Sequence, residues 1–267
     1  MARHRFGPWI LGLLAWAASG LSIAATPCTH PVYLTFDTGH MGVAPLIADV
    51  LRRQQVQATF FLANEPTQAV GPRPAGSTLD DEWVPWWRML ATDGHDFGSH
   101  TWNHVVWRAD QGDGFTMQAT AGTRIGPRQH LSATQYCSEL AQPARRFEAM
   151  TGRTMRALFR APGGKTSPAL LAAAKSCGWH HVPWAPAGFL GDELSSDRYP
   201  NRVLLARALR DVRSGDILLA HLGIWSRQDP WAPAVLEPLI VGLKAKGLCF
   251  ATLREHPLYA QVGVAPH

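Results

Sequence analysis

The sequence predicts an α/β fold in which about seven strands alternate with helices. Three features carry that reading. Short apolar segments recur along the chain, and all but the last are followed by a helical stretch. The strand segments are continuously apolar, as strands covered on both faces are. Gly178, Gly215 and Gly247 stand where helical stretches stop.

The first segment reads as an address. Residues 2–5 are basic, residues 8–19 (PWILGLLAWAAS) are uncharged and mostly apolar, and small residues follow, with Ser22 and Ala24 at −3 and −1 of a cleavage site. This predicts a signal peptide over 1–24 and a mature domain over 25–267. The apolar run is short for a membrane span, and no later run looks transmembrane.

Residues 31–36 (PVYLTF) predict the first strand, ending at Asp37-Thr38-Gly39. Residues 43–54 place apolar side chains at 43, 46, 47, 50 and 51, one helical face. Residues 58–62 (ATFFL) predict a buried strand. Residues 79–92 predict a helix with Trp83, Trp86, Trp87 and Leu90 on one side, read as packing residues. A short strand then runs into Gly98-Ser99-His100. Residues 105–131, glycine-bearing with little periodicity, predict a long inserted loop beside the third strand's end. Residues 132–150 open on Ser-Ala-Thr and continue amphipathically. Strands near 156–160, 180–184, 215–220 and 248–252 and helices over 167–177, 200–213 and 232–246 complete the chain. Periodicity alone fits a (β/α) barrel and an open doubly wound sheet equally. The sequence holds no GxGxxG, GxSxG or GxxxxGK[ST] motif.

Composition narrows the function classes. With 46% hydrophobic and 17% charged residues the chain is globular rather than disordered. A net charge of +5 without a basic run gives no nucleic-acid footprint. Four cysteines behind a signal peptide suit a secreted or periplasmic, oxidising compartment. Cys28 precedes the first strand and Cys249 opens the last, while Cys137 and Cys177 lie on successive helices. That placement predicts the pairs Cys28–Cys249 and Cys137–Cys177 out of three possible pairings.

Polar residues gather where strands end, the place α/β enzymes keep their chemistry. His100 and His104, four apart in HTWNH, would share one side of a helical turn and could hold one metal ion. Zn²⁺ is the default for such donors, with Co²⁺ or Ni²⁺ as alternatives. Asp37 could be a ligand, a general base or a helix cap. His221 could be a general acid or a core histidine. Arg160 suits a bidentate hold on a carboxylate. The adjacent His180 and His181 point to opposite faces of a strand and do not share an ion.

TFDTG at 35–39, HTWNH at 100–104, RAPGG at 160–164 and LAH at 219–221 occur in the order found in the polysaccharide deacetylase family, the NodB-homology group (carbohydrate esterase family 4), which the chain resembles from about residue 31 to 253. The resemblance implies a distorted, incomplete (β/α) barrel of seven strands. It implies a metal-dependent hydrolase that removes N- or O-acetyl groups from a polysaccharide or cell-wall glycan. Asp37 would be the catalytic base, His100 and His104 metal ligands, and His221 the general acid. Arg160 would steady Asp37, Pro162 and Gly163 would shape the groove, and Leu219 would line the acetyl pocket. Trp184 and Trp225, placed after strand ends, suit sugar rings.

Two departures stand out. Thr38 occupies the position where the family usually carries a second Asp, its third protein ligand to the metal. Water, His40 or Asp37 itself could fill that place, or metal binding could be lost. The family also often carries an Asp beyond the tryptophan to orient the arginine. Asp192 is the nearest acid here, at a different spacing. A non-catalytic glycan-binding relative, and a deformylase or amidase on a small or lipid-linked sugar, are the competing functions.

Overall fold

The computed structural model describes residues 28–121 and 124–266, with Met1; apart from Met1, the expected signal segment lies outside the described residues. The chain runs β1 (Pro31–Asp37), α1 (Ala44–Arg53), β2 (Thr59–Leu62), α2 (Val84–Thr92), β3 (Asp96–Ser99), β4 (Val105–Gln111), β5 (Gly114–Ala121), β6 (Arg124–Ser132), α3 (Ala133–Thr151), β7 (Leu158–Phe159), α4 (Pro168–Ser176), β8 (His180–His181), α5 (Asn201–Asp211), β9 (Ile217–His221), α6 (Leu236–Ala245) and β10 (Cys249–Phe250).

Seven of these strands form one parallel sheet in the order β10-β1-β2-β3-β7-β8, with β9 also paired to β1. The sheet curls back on itself. The stretch after β8 runs beside β9, where Phe189 bridges Leu219 and the Leu190 N–H reaches the Leu219 carbonyl at 3.2 Å. A single bridge closes the curl where a full strand would close a barrel, which gives the distorted, incomplete barrel the resemblance implied.

Strand parity sorts the side chains. On β1, Val32, Leu34 and Phe36 join the large core under the helices, whereas Tyr33 joins a smaller cluster with Phe61, Leu158, Val182 and Ile217. Thr35 and Asp37 continue the Tyr33 face, and both meet Arg160, which shares its own face with Leu158. The inside of the curl is therefore apolar at one end and polar where the strands finish. Gly98 lies on this inner face because a Cβ there would strike the Phe61 ring and the Leu158 carbonyl.

The helices start and stop largely as their sequences direct. Ser132 caps α3 in a reciprocal capping box with Gln135, and Gly152 ends it at φ 69°. Trp83, Trp86 and Trp87 are buried as packing residues, Trp83 in a short 3₁₀ turn ahead of α2. Both expected disulfides are present, Cys28–Cys249 and Cys137–Cys177, with Cα atoms 5.7 and 6.2 Å apart. The first ties the lead-in of β1 to β10, its parallel neighbour.

Residues 105–131 correct the expectation of a loop. They form most of a three-stranded antiparallel sheet, β4-β5-β6. Phe115, Met117 and Leu131 are buried, so alternate positions of β5 face the core. Gly112, at φ 58°, starts the two-residue connection between β4 and β5. The period here is two, carried by Phe115 and Met117 within an otherwise polar, glycine-bearing stretch.

Candidate functional site

The strand ends open into a cleft of about 540 Å³ lined by Asp37, Thr38, Glu65, His100, His104, Trp184, Glu193, Leu219, His221 and Trp225, among others. Its floor is a buried ion pair. Arg160 is fully buried and donates from Nη1 to Asp37 Oδ1 at 2.8 Å and to Thr35 Oγ1 at 2.7 Å. Its Nε donates to the Val182 carbonyl at 3.3 Å. Phe61 and Trp184 lie against the guanidinium, 4.4 and 5.8 Å from its carbon to their ring centroids. Burial pushes the Asp37 carboxyl upward, but Arg160, His100 and His221 together hold it below the usual carboxylate range. Asp37 is thus ionised at neutral pH.

His100 and His104 come together, their ring centroids 4.8 Å apart. The segment between them corrects the expected helical turn. It is a tight turn whose Thr101 and His104 sit in the left-handed region at φ 63° and 48°. Hydrogen bonds impose that backbone. Thr101 Oγ1 accepts from Val105 N–H at 2.9 Å, and the Glu139 carboxylate on α3 accepts from Asn103 N–H at 2.8 Å and Asn103 Nδ2 at 2.6 Å. Glu139 had no signal in the sequence beyond being an acid on an amphipathic helix.

Each imidazole is oriented from behind. His100 Nδ1 bonds the Arg160 carbonyl at 2.9 Å, and His104 Nδ1 bonds the Thr120 carbonyl at 2.8 Å. Carbonyl acceptors at Nδ1 fix the proton there and leave each Nε2 as a lone-pair donor, the arrangement metal-binding histidines use. Burial in turn drives His100 down to about 4, so it is neutral. His100 Nε2 lies 3.5 Å from Asp37 Oδ2. The imidazole pair therefore fits a divalent ion.

The carboxylate that would complete the set is not at position 38. Thr38 Oγ1 accepts from the Ala63 N–H at 3.0 Å, which joins the end of β1 to the end of β2. His40 lines a neighbouring cavity rather than this cleft, and its Nδ1 accepts from Gly42 N–H at 2.8 Å. Among the described residues no three His, Cys, Asp or Glu side chains form a ready-made metal cage. Glu65, which carried no sequence signal, lines the cleft and is buried, and its Oε2 has no hydrogen-bond partner.

His221 stands on the other flank. Asp192 accepts from its backbone N–H at 2.6 Å and lies 3.1 Å from its Nδ1. Burial pulls His221 down, but the charge and hydrogen bond of Asp192, with Asp37 and Glu193 behind them, outweigh this and lift it to about 9. Asp192 thus holds the histidine, not Arg160, which corrects the role suggested for it.

Leu219, Trp184, Gly163 and Trp225 line the cleft. Gly164, at φ 64°, lets Trp184 lie close, since a Cβ there would strike the indole. Pro162 is buried and is absent from the lining, and Arg160, also absent from it, supports the lining residues Asp37, His100 and Trp184 from behind.

A family model described as polysaccharide deacetylase matches residues 24–182. The chain is 26% identical over 244 residues to a chitooligosaccharide deacetylase of Azorhizobium caulinodans, covering 88% of this chain and 98% of that one. It is 24% identical over 229 residues to a peptidoglycan-N-acetylglucosamine deacetylase of Bacillus cereus, covering 84% and 86%. A family 4 acetyl xylan esterase from Clostridium thermocellum, solved with a cobalt ion, superposes with a TM-score of 0.62 at 24% identity, covering 86% of this chain and 92% of that one. A CE4 family pseudoenzyme from Bacillus anthracis gives 0.59 at 21%, covering 86% and 66%. At these identities the structural likeness speaks to the fold alone.

Proposed function

Because the chain belongs to the polysaccharide deacetylase family, we propose that it is a metal-assisted hydrolase that removes N- or O-linked acetyl groups from a polysaccharide or cell-wall glycan. The observation that carries this reading is a pair of groups with opposite proton inventories in one cleft. Asp37 is held ionised and His221 is held protonated, beside two imidazoles with free Nε2 atoms.

His100 and His104 would hold a divalent ion, Zn²⁺ by donor type with Co²⁺ or Ni²⁺ as alternatives, and the ion would supply Lewis-acid polarisation of water and of the acetyl carbonyl. Asp37 takes the proton of the attacking water, and Arg160 keeps its carboxylate ionised and aimed. His221 gives its proton to the departing sugar nitrogen or oxygen, and Asp192 keeps that proton available at neutral pH. Leu219 walls the acetyl group. Trp184 and Trp225 offer indole faces to sugar rings, and Gly163 lets the chain approach. Acetate and the deacetylated glycan leave without a covalent enzyme intermediate.

Secretion, with a signal peptide over 1–24 and the domain over 25–267, is part of this reading. Two disulfides support it, and among the described residues no helix is long and apolar enough to cross a membrane.

One observation favours a second reading, a glycan-binding relative without catalysis. Thr38 stands where a ligand carboxylate would, and its hydroxyl is committed to Ala63. Acetate release from acetylated chito-oligosaccharides and acetylated xylan, with Zn²⁺ or Co²⁺ supplied, separates the two. Release that falls by roughly 10²–10⁴ in His221→Ala supports the hydrolase. Retained oligosaccharide binding with no acetate released under any ion supports the binding protein.

A further inference from the structure

We propose that Glu65 is the third protein ligand of the metal site, supplying from the loop after β2 the carboxylate that position 38 lacks. The inference rests on the metal-assisted reading above and concerns this chain's own solution to a missing ligand.

Glu65 combines features found nowhere else in the cleft. It is 7% exposed and lines the same cavity as Asp37, Thr38, His100 and His104, and its Oε2 has no hydrogen-bond partner. A buried carboxylate oxygen with no donor is costly, the more so when it is charged. The other acids of the cleft are engaged. Asp37 answers Arg160, and Glu193 is drawn toward His221, with Glu193 Oε2 4.0 Å from His221 Nε2.

The backbone brings Glu65 to the histidines by two ties. Ala63 N–H is held by the Thr38 hydroxyl, and Asn64 N–H donates to the Trp102 carbonyl at 2.8 Å, inside the turn between His100 and His104. The residue after these ties is Glu65, whose own N–H donates to Thr78 Oγ1 at 3.1 Å. Thr38 thus gives up its place as ligand and helps to fix the segment that carries the substitute. Among the described residues no three donors surround one point. The Glu65 side chain must therefore turn toward the two Nε2 atoms as the ion enters. Its Oε2 breaks no hydrogen bond in doing so. Two imidazoles and one glutamate form a donor set that catalytic zinc sites use, with a position left open.

The test is a Co²⁺ titration followed by visible absorption and calorimetry, which reads the ligand set without turnover. Wild type, Glu65→Gln, Thr38→Asp, the Glu65→Gln/Thr38→Asp double variant and His104→Ala are compared, each with a thermal melt. Losing an outer partner of a metal ligand already costs 10–100-fold in affinity, so Glu65→Gln should weaken Co²⁺ by at least roughly tenfold and change its absorption bands. Thr38→Asp should restore affinity in the Glu65→Gln background by more than it raises it in wild type. If Glu65→Gln does not fold, Thr38→Asp alone decides. A gain under about threefold supports an already complete set, and a gain above about tenfold means that the carboxylate place was open. Glu65→Gln binding Co²⁺ as wild type does, while His104→Ala does not, overturns the Glu65 assignment and leaves the histidine site standing. Wild type that binds no Co²⁺ at millimolar concentration overturns both this assignment and the metal-assisted reading.

Discussion

Asp37 and His221 are register partners, the last residues of β1 and β9, side by side across a parallel strand pair. Parallel neighbours lie about 4.8 Å apart, and both residues fall on the inward parity of their strands. The pairing brings together two groups from opposite ends of the domain, and the Leu222 N–H to Asp37 carbonyl bond of 3.0 Å continues it past the strand ends. Asp37 is one of the charges that raise His221. Asp37→Asn should therefore move the His221 titration downward, read from its imidazole proton shifts. An unmoved titration would mean that the two groups are not neighbours in solution.

Asp37 also balances the charge of a fully buried arginine. Breaking a buried pair by removing one partner costs about 3–5 kcal/mol, because the other charge is left uncompensated. Asp37→Ala should lose turnover and also lose stability of that order in urea denaturation. Arg160→Met added to Asp37→Ala should recover a large part of the loss, since it removes the orphaned charge. If Asp37→Ala unfolds at the wild-type midpoint, Arg160 has found another partner.

Most of the fold could be read from the sequence because its strands are continuous apolar runs and its helices amphipathic. The same signal hid the β4-β5-β6 sheet, where Phe115, Met117 and Ala119 alternate at period two inside a polar stretch. Of the site, Asp37, His100, His104, Arg160 and His221 were legible from motifs at strand ends. Glu139, Glu65 and the actual partner of Asp192 were not. Their roles depend on contacts between residues 29–36 positions apart, and for Glu65 on a loop conformation that no local pattern specifies.

A buried histidine, His95, and a half-buried one, His181, both outside the cleft, predict acid sensitivity. Burial lowers His95 to about 4, and its Nδ1 accepts from Ala58 N–H at 3.0 Å, a bond that needs an unprotonated nitrogen. Burial, followed by the nearby Arg160 charge, lowers His181 to about 4 as well. In the unfolded chain both titrate near 6.5. The folded form thus binds fewer protons between pH 6.5 and 4. The stability these groups contribute is complete above 6.5 and is lost as pH falls toward 4, by about 1.4 kcal/mol per pH unit for each group. Urea midpoints measured from pH 7 to 4.5 should show the decline, and His95→Gln should flatten it. A flat profile in wild type would show that these imidazoles charge freely in the folded state.

The last prediction concerns the other end of the pH scale. His221 is lifted to about 9 although its burial acts in the opposite direction, and the leading upward influence is Asp192 by charge and by hydrogen bond. A group raised in the fold stabilises it fully below the unfolded value near 6.5 and loses that contribution as pH climbs through 9. If His221 is the general acid, kcat/KM should hold to near pH 9 and then fall as the proton is lost. Asp192→Asn keeps the shape and an acceptor oxygen but removes the charge. Its basic limb should move down, because the lowering by burial is then opposed only by Asp37 and Glu193. A merely structural Asp192 would lower the rate equally at every pH. The assignment is overturned by a profile whose basic limb stays in place while its height falls.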